Sequence, residues 1–213
     1  YQYISSHYKS IISIHLPHKL SGTWQSAVSA SKRISDSHIT VVDSCTVSIA
    51  QGLIVLAASE AAQAGKSHDE ILKIIDEAKS KTKLFAIIPD LSHAVRGGRV
   101  NSSKKRITDL FNISPILTIN AEGSIQTAGI RFGKKNLNAK MASFVLKKIQ
   151  PGKSYRVLVA HGNDLPSGEK LMKELTDKVP AMKSVNLVDV GALFGIHVGP
   201  GALAVAIQEV LPE

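Results

Sequence analysis

Hydrophobic positions along the chain follow two periods, and the mixture of the two changes near residue 84. Residues 11–16 are a short apolar run that reads as a buried strand broken by Pro17. From Ser21-Gly22-Thr23 onward, Ala27, Ala30 and Ile34 recur at near-helical spacing, which predicts a helix start. Residues 39–42 are a β-branched strand ending at Asp43-Ser44. Residues 47–64 are rich in Ala and Leu without proline and predict a long buried helix, with Gly65 at its C-terminal stop. Ser67 stands three residues before Glu70, the spacing of a capping box, and opens an amphipathic helix through Ala78. Strand and helix alternate up to Lys83, the pattern of a parallel α/β lobe whose strand ends carry the site.

Beyond that point the texture changes. Residues 84–88 predict a strand and 91–95 a short helix before Gly97-Gly98. Residues 113–119 and 124–132 flank Asn120-Ala121-Glu122-Gly123, a hairpin turn. Helices are predicted over 138–148, 168–177 and 201–210, and strands over 155–161 and 184–190. The expected fold class is therefore α/β in two lobes. The first, residues 1–83, is a parallel α/β lobe, and the second, residues 84–213, is an α+β lobe with a mixed or antiparallel sheet. No internal repeat or low-complexity tract interrupts either.

Composition narrows the function. The chain has 213 residues, 44% of them apolar, enough for one large core or two modest ones. No run of eighteen apolar residues exists, so no membrane-spanning helix is expected. The N-terminus lacks the charged start and apolar middle of a signal peptide, and the single cysteine, Cys45, fits a reducing compartment; a cytoplasmic location is expected. The net charge of +9 raises nucleic-acid binding, yet Lys and Arg are spread along the chain. The densest cluster contains Arg96, Arg99, Lys104, Lys105 and Arg106 without an aromatic residue to stack on bases, so no nucleic-acid partner is expected. An anionic ligand or an acidic protein partner accounts for the excess.

Four places could carry chemistry. Strand, loop and helix start meet at Leu20-Ser21-Gly22-Thr23, where unpaired backbone N–H groups favour an anion and Ser21 or Thr23 would add a hydroxyl; the plainer reading is a helix cap. Arg96-Gly97-Gly98-Arg99 holds two guanidiniums on a glycine-flexed turn, or is simply a solvated loop. Arg131 sits in a strand among apolar neighbours, where it needs a partner unless the strand is an edge. His197 is enclosed by glycines in Gly195-Ile196-His197-Val198-Gly199-Pro200-Gly201, read as the entrance to the final helix, and contacts a ligand or is structural.

Read together, Leu20-Ser21-Gly22-Thr23, Val42-Asp43-Ser44, Gly97-Gly98-Arg99-Val100, Pro115-Ile116-Leu117, Arg131 with Lys134-Lys135, and His197-Val198-Gly199-Pro200-Gly201 closely resemble the DegV family over essentially the whole chain. The resemblance implies a bacterial long-chain fatty-acid-binding protein, the carrier component of a fatty acid kinase. It implies that the carboxylate is held by Ser21 and His197 with Gly22 and Thr23 beside them, and that Arg99 and Arg131 are the basic residues suited to an acyl phosphate. It implies no cofactor besides the bound fatty acid, no metal, no catalytic residue of the chain's own, a kinase subunit as partner and no stable membrane insertion. Two departures are notable. Pro17-His18 stands where the family has a serine pair, and the family's first strand and early Thr-Ser motif would lie before Tyr1, leaving the first lobe incomplete at its N-terminus. The rival from another class is a serine hydrolase using Ser21 and His197, although a G-x-S-x-G elbow is absent. No Walker-type loop occurs, so a separate kinase would supply the phosphate.

Overall fold

The computed structural model describes residues 1–35, 37–99, 113–179 and 182–210. Val100 of the glycine-arginine motif and Lys104, Lys105 and Arg106 of the basic cluster lie outside the described residues. The chain runs through α1 (Gln2–Ser5), β1 (Ser10–His15), α2 (Thr23–Ser31), β2 (His38–Asp43), α3 (Ser48–Gln63) and α4 (His68–Lys81). It continues through β3 (Thr82–Ile87), α5 (Ser92–Arg96), β4 (Ile113–Ile119), β5 (Ile125–Phe132) and α6 (Leu137–Leu146). It ends with β6 (Ser154–His161), α7 (Leu165–Lys178), β7 (Met182–Asp189), α8 (Gly191–Val198) and β8 (Leu203–Val210).

Strands β1 and β2 pair in parallel, in register from Ser10 opposite His38 to His15 opposite Asp43, with α2 as the crossover that parallel strands require. The other strands form a six-stranded sheet in the order β5-β4-β3-β8-β6-β7. In it β6 and β7 are parallel while the remaining neighbours are antiparallel, giving a mixed α/β fold. Local chemistry explains the junctions. Ser67 Oγ accepts from Glu70 N at 3.4 Å and Glu70 Oε2 from Ser67 N at 2.8 Å, closing the capping box of α4. In the β4–β5 turn, Asn120 Oδ1 accepts from the backbone of Glu122 and Ser124, and Gly123 takes a φ of 79° that other residues resist.

One element departs from the sequence reading. Residues 201–210, expected as a helix, contain β8, which pairs with β3 on one side over residues 203–208 and with β6 on the other over its whole length. A strand buried on both faces is a nearly continuous apolar run, which periodicity does not separate from a buried helix. Here Leu203, Val205 and Ile207 face α6 and α7, while Ala204 and Ala206 face α3. The helix of this region lies earlier, as α8, which ends at Val198 inside the glycine stretch read as the entrance to the final helix.

Helix α3 joins the two sheets. Its Ile49, Ala50 and Leu53 pack on the six-stranded sheet, and its Ile54, Ala58 and Ala61 meet Ile71, Ile75 and Ala78 of α4, with Ile12, Ile14 and Val42 of the two-stranded sheet beside them. Because Leu203 is 1% exposed in the middle of the main core, Leu203→Ala is expected to cost about 2–5 kcal/mol through lost burial and a residual cavity. Urea unfolding of the variant beside the parent protein measures this; a loss under 1 kcal/mol would contradict the central placement of β8.

Candidate functional site

The alternation that seats Phe85 and Ile87 against α6 and α7 turns Leu84 and Ala86 to the other face of the sheet. There, Leu84, Ala86, Leu117, Ile119 and Ile125 floor a cavity of about 240 Å³. Leu16 and Leu20 from the loop after β1, Val47 before α3, and Leu193, Phe194 and Val198 of α8 supply the walls. The lining is mainly aliphatic, with Ser21, Thr23, Thr118, Arg99 and His197 as its polar members.

The loop carrying Ser21 is closed from several directions. Leu20 N and Ser21 N both donate to Pro17 O, at 2.9 and 3.0 Å. The β4–β5 hairpin leans on the same loop through a 3.0 Å ion pair between Lys19 and Glu122, and Gly123 lies so close to Pro17 that an added Cβ would come within 2.7 Å of the proline ring. Ser21 Oγ donates to Thr23 Oγ1 at 3.1 Å and accepts from Thr23 N at 3.3 Å. Gly22 is the N-cap of α2, no acidic residue occupies the first turn, and this end of the helix favours an anion. Ser21 and Thr23 line the apolar cavity and also, with Gly22, Ser13 and His15, a neighbouring open hollow; Gly22 lines only the latter.

Pro17-His18, which replaces the serine pair expected by resemblance, is held by Asp43. That carboxylate accepts from His18 N at 3.0 Å and Cys45 N at 2.7 Å, and pairs with His18 Nδ1 at 2.7 Å. Partial burial pushes the Asp43 carboxyl up, but the His18 and Cys45 hydrogen bonds together outweigh it and hold the group below its ordinary value.

His197 lines the cavity from the last turn of α8. This corrects its expected position at a helix entrance: the free backbone groups at this end are carbonyls, so the ring rather than the main chain is the donor on offer. Its Nδ1 is buried and has no hydrogen-bond partner among the described residues. No hydrogen bond links Ser21 to His197 among the described residues.

The two arginines part company. Arg99 lines the cavity, with Nη1 donating to Gly97 O at 2.6 Å and Nε to Leu20 O at 3.4 Å. Arg131 lies on edge strand β5, its guanidinium 5.3 Å from the ring centroid of Phe144. Phe144 belongs to the α6 side of the sheet, so Arg131 is on the opposite face from the cavity. Thus Ser21, Thr23, Arg99 and His197 line one cavity, Gly22 lies between two of them without lining it, and Arg131 is on the other face of the sheet. The sequence reading missed His93, whose ring lies against Gly199. Its only signal was its place one helical turn before Gly97.

A family model described as an uncharacterised protein of the DegV family matches residues 1–210. The chain belongs to the DegV family. It is 33% identical over 196 residues to a DegV domain-containing protein of Listeria monocytogenes, an alignment spanning 92% of this chain and 69% of that relative. A solved DegV structure from Bacillus subtilis, described as a fatty acid binding protein, matches with a TM-score of 0.87 at 29% identity, covering 99% of this chain and 74% of the other. A DegV family protein of Thermus thermophilus shares the fold with a TM-score of 0.89 at 24% identity, over 98% of this chain and 74% of its own. Among the described residues, no helix of this DegV chain is long and apolar enough to cross a membrane, and no three His, Cys, Asp or Glu residues are grouped to hold a metal.

A carboxyl whose folded pKa is depressed stabilises the fold above its unfolded pKa of about 3.9, and that contribution disappears as pH falls through the folded value. Asp43→Asn is therefore expected to lose about 1.5–3 kcal/mol near neutral pH, the range for hydrogen bonds to a charged group. Its deficit should shrink below pH 4; denaturant unfolding of both proteins from pH 7 downward checks the convergence.

Proposed function

We propose that the chain binds a long-chain fatty acid in the cavity between its first lobe, residues 1–83, and its second, residues 84–213, and presents the carboxylate to a partner kinase for acyl-phosphate formation. The observation that carries this reading is one aliphatic cavity in which four of the polar lining residues, Ser21, Thr23, Arg99 and His197, are linked to one another. Ser21 is hydrogen-bonded to Thr23, Arg99 reaches the carbonyl of adjacent Leu20, and His197 lies against Gly97, so the four belong to one contact network. The Bacillus subtilis relative, described as a fatty acid binding protein, supports the choice of ligand.

A carboxylate in an apolar cleft requires compensating donors, and the Ser21 hydroxyl, the His197 ring and the Arg99 guanidinium supply them. The tail provides most of the affinity, at about 0.8 kcal/mol per buried methylene. At about 240 Å³ the cavity is smaller than the roughly 300–1,000 Å³ of pockets that enclose a drug-sized ligand, so a long tail requires a wall to yield. Helix α8 is that wall: none of its residues is fully buried, and Leu193 is 67% exposed. Arg131, on the opposite face of the sheet, serves the kinase encounter rather than the carboxylate. The protein acts as a carrier in the cytoplasm.

Mass spectrometry of an organic extract from purified protein is expected to find a long-chain fatty acid; an empty extract together with no titratable binding would overturn the reading. Ser21→Ala and His197→Ala should each weaken binding by about 1–3 kcal/mol, the cost of leaving a buried polar or charged group without a partner. Arg131→Ala should leave affinity within twofold while slowing phosphorylation by the kinase. Calorimetry and a kinase-coupled assay read the two effects separately, and equal loss in both assays would assign Arg131 to the carboxylate instead.

A further inference from the structure

The turn between α5 and Arg99 is linked to both sides of the cavity's polar end. On one side an added Cβ on Gly97 would lie 2.2 Å from His197 Nδ1 and 2.9 Å from its Cε1. On the other, an added Cβ on Gly199, which follows α8, would lie 2.6 Å from Cδ2 of His93. Two imidazoles thus occupy the space left by two glycines in opposite directions: His197 of α8 on Gly97, and His93 of α5 on Gly199. The same turn continues into Arg99, which reaches Leu20 O beside Ser21. The backbone at Gly97 is ordinary, with φ −67° and ψ −10°, a conformation alanine adopts readily. Local conformation therefore places no demand for glycine there, and the demand comes from the ring lying on it.

We infer that Gly97 and His93 are positioning residues that set the His197 ring against the Ser21 loop. The inference rests on the proposed role of His197 in holding the carboxylate. Contact between ring and main chain is short-range and steep, so a single added methyl moves the ring instead of being absorbed by slack. Helix α8 has no buried residue of its own to fix the rotation of its last turn, and the His93–Gly199 contact bears on that turn from the α5 side.

The test compares Gly97→Ala with Gly195→Ala, which adds a methyl to α8 itself where it would meet no atom within 4 Å. Two measurements are made: the imidazole NMR resonances of His197 in ligand-free protein, and fatty-acid affinity by calorimetry. Gly97→Ala is expected to shift the His197 resonances and weaken binding about as much as His197→Ala, without lowering the melting temperature. Adding His197→Ala to Gly97→Ala should bring no further loss, and Gly195→Ala should behave like the parent protein. His93→Ala should shift the same resonances, and His93→Phe, which keeps a ring on Gly199, should shift them less. Unchanged resonances in Gly97→Ala, or additive losses in the double variant, would overturn the positioning role. If the resonances shift while Gly97→Ala and His197→Ala both bind normally, the positioning stands and the carboxylate role of His197 fails.

Discussion

Strand β8 can lie in the middle of the six-stranded sheet because its two faces carry side chains of different size. Leu203, Val205 and Ile207 fill the layer against α6 and α7, whereas Ala204 and Ala206 leave room for α3 to approach the other face. A uniform strand of large residues would hold α3 away and overpack the interface, at a cost of about 1–3 kcal/mol for each misfit. The same alternation on β3 turns Leu84 and Ala86 to the α3 face, so the helix seat and the cavity floor are consecutive stretches of one surface. The site thus follows from how the sheet is packed.

The polar end depends on backbone clamps outside it. Gly162, just after β6, donates to Ala202 O and accepts from Gly201 N, while Val190 N donates to His161 O. Both ends of the segment containing α8 are therefore tied to one turn, and the helix between them is held by contacts along α5 and the cavity. Across the cleft, the Ser21 loop is fixed by Asp43 through His18 and by the β4–β5 hairpin through Lys19 and Pro17. Anchors at the margins and sparse burial in the wall reconcile the proposed carboxylate position with a cavity smaller than the ligand proposed for it.

Much of this was legible in the residues, for identifiable reasons. The α4 capping box, the β4–β5 turn and the strand–loop–helix junction at Ser21 are local devices whose side chains and hydrogen-bond partners lie within a few positions of one another. The failure at β8 has the opposite cause. Leu203 to Val210 contains good helix formers, and only pairing with strands more than a hundred residues upstream and about fifty residues upstream makes it a strand. That error displaced the reading of His197, because a histidine before a helix and one at the end of a helix face different backbone groups. Arg131 was legible as a strand arginine among apolar residues, but its face depends on the sheet register, and the register shifts between Ile116 and Leu117. Gly97 was legible as part of a glycine turn, but its contact with His197, like that of His93 with Gly199, spans a hundred residues or more and left no local signal.

The balance between tail and head determines what different observations can report. A dozen buried methylenes contribute on the order of 10 kcal/mol as an upper figure, since the unfolded chain and the free lipid set generous references. The polar contacts contribute about 1–3 kcal/mol each. For the proposed ligand, occupancy would follow the aliphatic lining, and a variant with a defective polar end would still retain lipid through purification. Orientation of that ligand would be set by the few donors at Ser21, Arg99 and His197, because only donors distinguish the carboxylate end from the methyl end. Copurified lipid consequently speaks to the cavity floor and walls. The arrangement of the polar end is read from affinity differences between variants and from the state of the His197 ring.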